Sequence, residues 1–247
     1  VTLLIALVIG LVNGILVVAL HVDAFVATLG TSSVVGGIAL AYTGGKTIFG
    51  AVPPSFTNLA RKHLLGMPQP VLLVVFVAVV LGVVLGLLPV GRRMYATGGN
   101  ERASMLTGIA TKRYIVGAFV TSSFLAGVAG VMLGSRLGTA SPSTGGSLLL
   151  PAFAGAFLGA TTVRPGRFNV IGTIIAVYML AIAVSGLQQM GAPVWFEPVF
   201  NGTALVVAVA ASHWALSQRR HRAKLKEIAA LDDADLFNLL YIPPYSY

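Results

Sequence analysis

Runs of about 20 apolar residues recur along this chain, and they constrain its folding more than any other feature. A helix rising about 1.5 Å per residue needs a run of that length to cross roughly 30 Å of hydrocarbon. Residues 1–20, 24–42, 70–90, 113–134, 168–190 and 195–216 meet the requirement. Inside lipid no water satisfies backbone N–H and C=O groups, so segments this long are expected to be helical. The predicted fold class is therefore all-α, a polytopic transmembrane helix bundle. Residues 147–162, SLLLPAFAGAFLGATT, are shorter and carry Pro151 near their start. They read either as a short span or as a half-helix that enters and bends, its irregular backbone buried against protein. The predicted domains are a transmembrane domain over 1–216 and a cytoplasmic tail over 217–247.

Charge is scarce, and its placement is biased. Charged residues are 9% of the chain, against about 25% in soluble domains. The net charge of +9 is dispersed between apolar runs and does not line one face, which predicts a lipid bilayer and not nucleic acid as partner. Arg92, Arg93, Arg102, Lys112 and Arg113 flank one break between spans, and Arg219, Arg220, Arg222, Lys224 and Lys226 occupy the tail. Positive charge is retained on the cytoplasmic side, so segment 91–113 and the tail are both expected there. With 147–162 counted as crossing, an even number of segments separates them, and the turn holding Arg164 and Arg167 also falls inside. Loops 43–69 and 135–147 then lie outside, although they carry Lys46, Arg61, Lys62 and Arg136. The sequence starts at Val1 inside an apolar run, without an initiator Met or a basic region. It reads as a fragment missing its N-terminal part, an odd number of spans if the native N-terminus is cytoplasmic. The absence of cysteine removes disulfides, thiolate metal sites and cysteine nucleophiles together.

Few residues offer chemistry. GGKT at 44–47 lacks the glycine a phosphate loop requires five positions before its Gly-Lys pair, because Leu40 stands there. The chain is therefore expected to bind no nucleotide, cofactor or metal of its own, and any ATP and Mg belong to another chain. Only Asp23 and Glu197 are acidic within or beside the spans, with His21 and His213 near predicted interfaces. No paired carboxylates, HExxH helix or serine elbow accompany them, so no catalytic residues are expected. A mid-membrane ion relay, expected of a proton-coupled carrier, is missing too. Uncharged polar groups remain, among them Asn13, Thr28, Thr31, Ser185 and Gln188. They either hydrogen-bond a neutral solute in transit or join helices to one another. Gly10 and Gly14, Gly82 and Gly86, Gly130 and Gly134, and Gly155 and Gly159 recur four apart, a spacing that lets helix backbones approach closely in lipid.

The polar stretch GRRMYATGGNERASMLTGI, residues 91–109, breaks the apolar pattern. Asn100 is suited to cap a helix, and Glu101 falls in its first turn, where negative charge suits the helix dipole. The helix is expected to run through ERASMLTGI and to stop at Gly108. A short cytoplasmic helix between two spans can dock into a groove on a partner and move the spans attached to it. It can also be a basic interfacial helix that only marks topology.

This stretch resembles the cytoplasmic coupling segment of permease subunits in ribose-type (monosaccharide) ATP-binding-cassette importers, whose pattern reads approximately GRxxYAxGGNxxAAxxSGI. Gly91, Arg92, Tyr95, Ala96, Gly98, Gly99, Asn100, Ala103, Gly108 and Ile109 match it. VNGILVVALHVDAFVATLGTSSVVGGIAL is similar to another segment of that family at Asn13, Gly14, Phe25, Thr28, Leu29, Gly30 and Thr31, with Gly36 where arginine is frequent. RPGRFNVIGTIIAVYML matches a third at Gly166, Gly172 and Thr173. LLLPAFAGAFLGATT departs from the family's usual ELxxIAAxxxGGxS, so the cargo of the ribose members is not carried over.

The resemblance implies a subunit that does no chemistry, in a bacterial inner membrane, importing a sugar by alternating access. Its implied partners are a cytoplasmic ATP-binding subunit, an extracytoplasmic sugar-binding protein and a second permease copy, identical or related. Gly98, Gly99, Asn100, Glu101, Ala103, Gly108 and Ile109 would couple to the ATPase, and Asn13, Phe25, Thr28, Thr31, Ser185 and Gln188 would line the substrate pathway. The competing readings are a branched-chain amino acid permease of the same importer class and a secondary transporter.

Overall fold

A computed structural model describes residues 1–49, 53–64, 66–163 and 166–211. Arg164, His213 and the tail 217–247 lie outside the described residues. In chain order come helices α1 (Thr2–Ala19) and α2 (Ala24–Thr43), strand β1 (Ile48–Phe49), helix α3 (Pro54–Arg61) and strands β2 (His63–Leu64) and β3 (Met67–Pro68). Helices α4 (Gln69–Gly86), α5 (Pro89–Gly99), α6 (Glu101–Leu106) and α7 (Thr111–Leu137), strand β4 (Thr139–Ala140) and helices α8 (Thr144–Ser147), α9 (Leu149–Thr162) and α10 (Val170–Gln189) follow. A last apolar helix, α11, covers Phe196–Ala211. Among the described residues six helices are long and apolar enough to cross a membrane: α1, α2, α4, α7, α10 and the run Thr144–Thr162. The fold is an all-α polytopic bundle, as the apolar runs predict. The chain divides into two compact units, Val1–Leu148 and Leu149–Tyr247.

In the first unit α1 packs along α7 through glycine. A Cβ on Gly10 would stand 2.8 Å from the Phe119 carbonyl oxygen and the Val120 Cα, and one on Gly14 would stand 3.0 Å from the Val116 Cα. The backbones meet so closely only because neither residue carries a side chain, which in lipid supplies the dispersion contact that hydrophobicity cannot. Gly82 and Gly86 on α4 have open space around them within the described residues, so identical spacing does different work on different helices. Asp23 is explained locally. Its Oδ1 accepts from the Phe25 and Val26 N–H groups at 2.9 and 3.2 Å, which caps α2 and satisfies donors that the helix leaves unpaired.

A polar clamp fixes α3 on α7. Ser135 is fully buried; its hydroxyl donates to the Phe56 carbonyl at 2.6 Å and accepts from the Ala60 N–H at 3.0 Å. Strands β1 and β4 pair antiparallel, Ile48 with Ala140 and Phe49 with Thr139. Together these contacts order much of the segment between α2 and α4, which sequence periodicity treats only as a loop.

The second unit is built on the α9–α10 pair. A Cβ on Gly159 would lie 2.5 Å from the Thr173 Cα and backbone nitrogen, and one on Gly172 would overlap the Gly159 carbonyl oxygen. Asn169 joins the two helices. Its Oδ1 accepts from the Gly172 N–H at 2.6 Å as the α10 cap, while its Nδ2 donates to the Gly159 carbonyl at 3.3 Å. Phe157 meets Phe168 edge-on, with ring centroids 5.5 Å apart.

Candidate functional site

The polar break between α4 and α7 holds two helices where the sequence predicts one. Expected to reach residue 90, the span ends at Gly86; Leu88 is extended, and Pro89 opens α5 at its first turn. Proline suits that position because its missing N–H would have no helical partner there. Gly91 explains the tightness of the fold-back, since a Cβ would meet the backbone of Val84 and Leu85. Arg93 Nη1 donates to the Tyr114 hydroxyl at 3.2 Å, linking α5 to α7. That hydrogen bond, with the attraction accompanying it, holds the guanidinium above its ordinary pKa. Gly98 and Gly99 end α5 with exposed, unobstructed surface among the described residues.

Helix α6 is closed at both ends by the residues expected to close it. The Asn100 Oδ1 accepts from the Ala103 N–H at 3.0 Å, from an extended backbone at φ −157°. At the far end Gly108 is left-handed at φ +80°. Its N–H donates to the Met105 carbonyl at 3.0 Å, and the Ile109 N–H donates to the Ser104 carbonyl at 3.1 Å. This paired closure satisfies carbonyls that a helix end otherwise leaves open. Replacing Asn100 with Ala is expected to cost about 1 kcal/mol of local stability and to speed amide exchange at Ala103 about fivefold, with Asp in its place retaining protection. Exchange measured by mass spectrometry checks this; equal rates in all three proteins would remove the cap.

Glu101 does more than favour the helix dipole. Thr111, the first residue of α7 and 1% exposed, donates its hydroxyl to the Glu101 Oε1 at 3.3 Å. Thus α6 is tied by a side chain to the start of the 27-residue helix α7. Ser104 is buried, whereas Glu101, Arg102 and Ala103 face outward. Met105 is 51% and Leu106 89% exposed, an apolar tip on an otherwise polar turn. Sequence reading passed over Thr111, Met105 and Leu106. The apolar pair stands inside a polar segment and was the available signal.

The residues expected along a substrate pathway are placed variously. Asn13 is buried, and its Oδ1 lies 2.6 Å from the Thr31 hydroxyl, which also reaches the Ala27 carbonyl at 2.7 Å. The pair joins α1 to α2. The Thr28 hydroxyl donates within its own helix, to the Ala24 and Phe25 carbonyls, and Phe25 is exposed. In the second unit Ser185 is exposed, and Gln188 Nε2 donates to the Glu197 Oε2 at 3.0 Å.

Membrane-length helices stitched by glycine, with a capped polar helix tied to the start of one of them, define a polytopic membrane helix bundle. The chain belongs to the family described as branched-chain amino acid transport system / permease component, which matches residues 1–209. It is 36% identical over 198 residues to the ribose import permease protein RbsC of Bacillus subtilis, covering 80% of this chain and 62% of that protein. The ribose import permease protein RbsC of Haemophilus influenzae is 33% identical over 217 residues, 87% of this chain and 67% of that one. The autoinducer 2 import system permease protein LsrD of Escherichia coli is 30% identical over 231 residues, 92% of this chain and 69% of that one. The chain thus spans 62% to 69% of the length of these relatives. No solved structure matches it.

Proposed function

We propose that this chain forms the membrane-spanning part of an importer permease that moves a monosaccharide-like neutral solute inward, driven by a separate ATP-binding subunit. ATP and Mg act on that subunit, and this chain binds neither. It works in the bacterial inner membrane with α5, α6 and the C-terminal tail on the cytoplasmic side. A second permease copy and an extracytoplasmic sugar-binding protein complete the assembly.

One observation carries the coupling role: α6 is capped at both ends, presents Met105 and Leu106 outward, and is tied through Glu101 to Thr111 of α7. A rigid, partly apolar knob joined to a long span can pass a partner's closing motion into the bilayer. The smooth surface at Gly98 and Gly99 leaves room for another backbone to approach. The chain need only stabilise two conformations differently for the ATPase to drive exchange between them. A sugar is favoured over a branched-chain amino acid because the relatives above are named for ribose and autoinducer 2. Asn13 and Thr31, Phe25 and Thr28, and Ser185 and Gln188 remain the proposed pathway residues, the first pair acting through helix spacing.

The test is uptake into proteoliposomes holding the full-length permease and the ATPase of the same transport system, with the binding protein supplied outside the vesicle. The labelled monosaccharide that this binding protein takes up should accumulate only with ATP, and labelled leucine should not. Accumulation of leucine alone would assign the amino acid reading. Uptake indifferent to ATP and to the ATPase would return the chain to the secondary transporters.

A further inference from the structure

Among the described residues of the second unit, Asn201 is the one polar residue that is buried, at 4% exposure. It lies in α11 two turns before the fully buried Ala208, on the least exposed face of that helix. Its carboxamide makes no hydrogen bond among the described residues. No side-chain nitrogen or oxygen shut off from solvent lacks a partner there, so the small accessible part of Asn201 is its polar end. A buried amide that the fold leaves unpaired costs stability, and packing alone gives no reason to keep it.

Other polar groups lie within a turn of it. Gly191 is left-handed at φ +91°, and the Gly191 and Ala192 N–H groups donate to the Gln188 and Leu187 carbonyls at 3.0 Å, so the chain turns sharply after α10. The turn brings Gln188 to Glu197, whose Oε2 accepts from the Gln188 Nε2 at 3.0 Å. Glu197 is exposed, and its Oε1 has no partner among the described residues. Asn201 stands four residues further along α11, on the same face and about 6 Å deeper. Ser185 stands three residues back along α10, about 4.5 Å from Gln188 along the axis. It is exposed, and its hydroxyl makes no hydrogen bond among the described residues. Residues 185–201 contain no Lys or Arg to neutralise the carboxylate. The helix dipole favours Glu197 in the first turn of α11 but does not account for Asn201 a turn below.

We propose that Glu197 and Asn201, with Gln188 and Ser185 of α10, form a hydrogen-bonding subsite for a polyhydroxylated neutral solute at the outer end of the permeation path. The inference rests on the orientation and function given above and adds Glu197 and Asn201 to the proposed pathway residues. An ionised carboxylate can only accept hydrogen bonds, so the group it meets must donate; the carboxamide below both donates and accepts. Solute hydroxyls do both. An amino acid would instead bring its own carboxylate beside Glu197 with no cation at hand, and like charges repel.

The experiment compares full-length wild-type permease with Asn201→Leu, Glu197→Leu and Glu197→Gln, each assembled with its ATPase in proteoliposomes. The probe is the labelled monosaccharide carried by the binding protein of the same system. Maximal ATP-driven uptake should fall about tenfold in each leucine variant, the loss of a hydrogen bond to the solute, and Glu197→Gln, which keeps an acceptor oxygen, should retain more. The amount of binding protein needed for half-maximal uptake should stay at the wild-type value, because these residues meet the solute and not its carrier. The thermal midpoint of Asn201→Leu should lie at or above that of wild type, since an unpaired buried amide is removed. Wild-type uptake in both leucine variants would overturn the subsite and leave the importer function standing. A lowered midpoint in Asn201→Leu would mean that the carboxamide holds the fold together, and a raised half-maximal amount with unchanged maximal uptake would assign the residues to docking of the binding protein; each overturns the subsite. A wild type that accumulates leucine and no monosaccharide would overturn both readings.

Discussion

Gly108→Pro is expected to lower ATP-dependent uptake about a hundredfold while the chain still inserts into the membrane. Gly108 sits at φ +80°, and its N–H closes α6 on the Met105 carbonyl. Proline removes that N–H and forces φ to about −65°, at a cost of about 3 kcal/mol or more, roughly two powers of ten in the population of the closed turn. The damage stays local, because Gly108 lies between α6 and α7 and in neither span. Asn tolerates the left-handed region, so Gly108→Asn should keep most of the transport. Uptake in vesicles, with membrane fractionation as the control for insertion, decides the matter. Normal uptake by the proline variant would mean that the closed form of α6 is not what couples ATP to transport.

The second large effect is expected at the α9–α10 crossing. Gly172→Leu places a side chain where the Gly159 carbonyl and the Asn169 cap already lie. Backbone cannot yield as a flexible side chain can, so the two helices must separate. Overpacking of this kind costs about 3 kcal/mol, a fall of roughly 6–12 °C in the thermal midpoint for a chain of this size. Gly82→Ala on α4, where the surroundings are open, should move the midpoint by no more than about 1–2 °C. Intrinsic fluorescence melts of the detergent-purified proteins give both values. Equal midpoints in the two variants would mean that α9 and α10 do not depend on this contact.

Much of segment 91–109 was readable from one dimension. Asn100 and Gly108 act within a few residues of themselves, the first on Ala103 and the second on Met105, so residue type and spacing suffice to place them. Helix α5 escaped because Pro89 reads as the end of the preceding span and equally well as the start of a new helix. The choice depends on the fold-back at Gly91, which involves Val84 and Leu85. Asn13 and Thr31 illustrate the opposite limit. Their polarity in apolar surroundings marks them as special, but only the contact between α1 and α2 shows that they satisfy one another.

What the sequence determined alone was what short-range physics dictates: the membrane-length apolar helices, the polar break at 91–109, the caps of α6 and the family resemblance of that segment. Each follows from how many apolar residues stand in a row or from which side chain can reach a backbone group a turn away. Tertiary structure decided the rest. It selected Gly10 and Gly14 and Gly155 and Gly159 as crossing points while leaving Gly82 and Gly86 open, joined Glu101 to Thr111, and seated α3 on Ser135. Those outcomes depend on which surfaces meet across long stretches of chain. A four-residue spacing or a lone serine carries no information about the partner it will face.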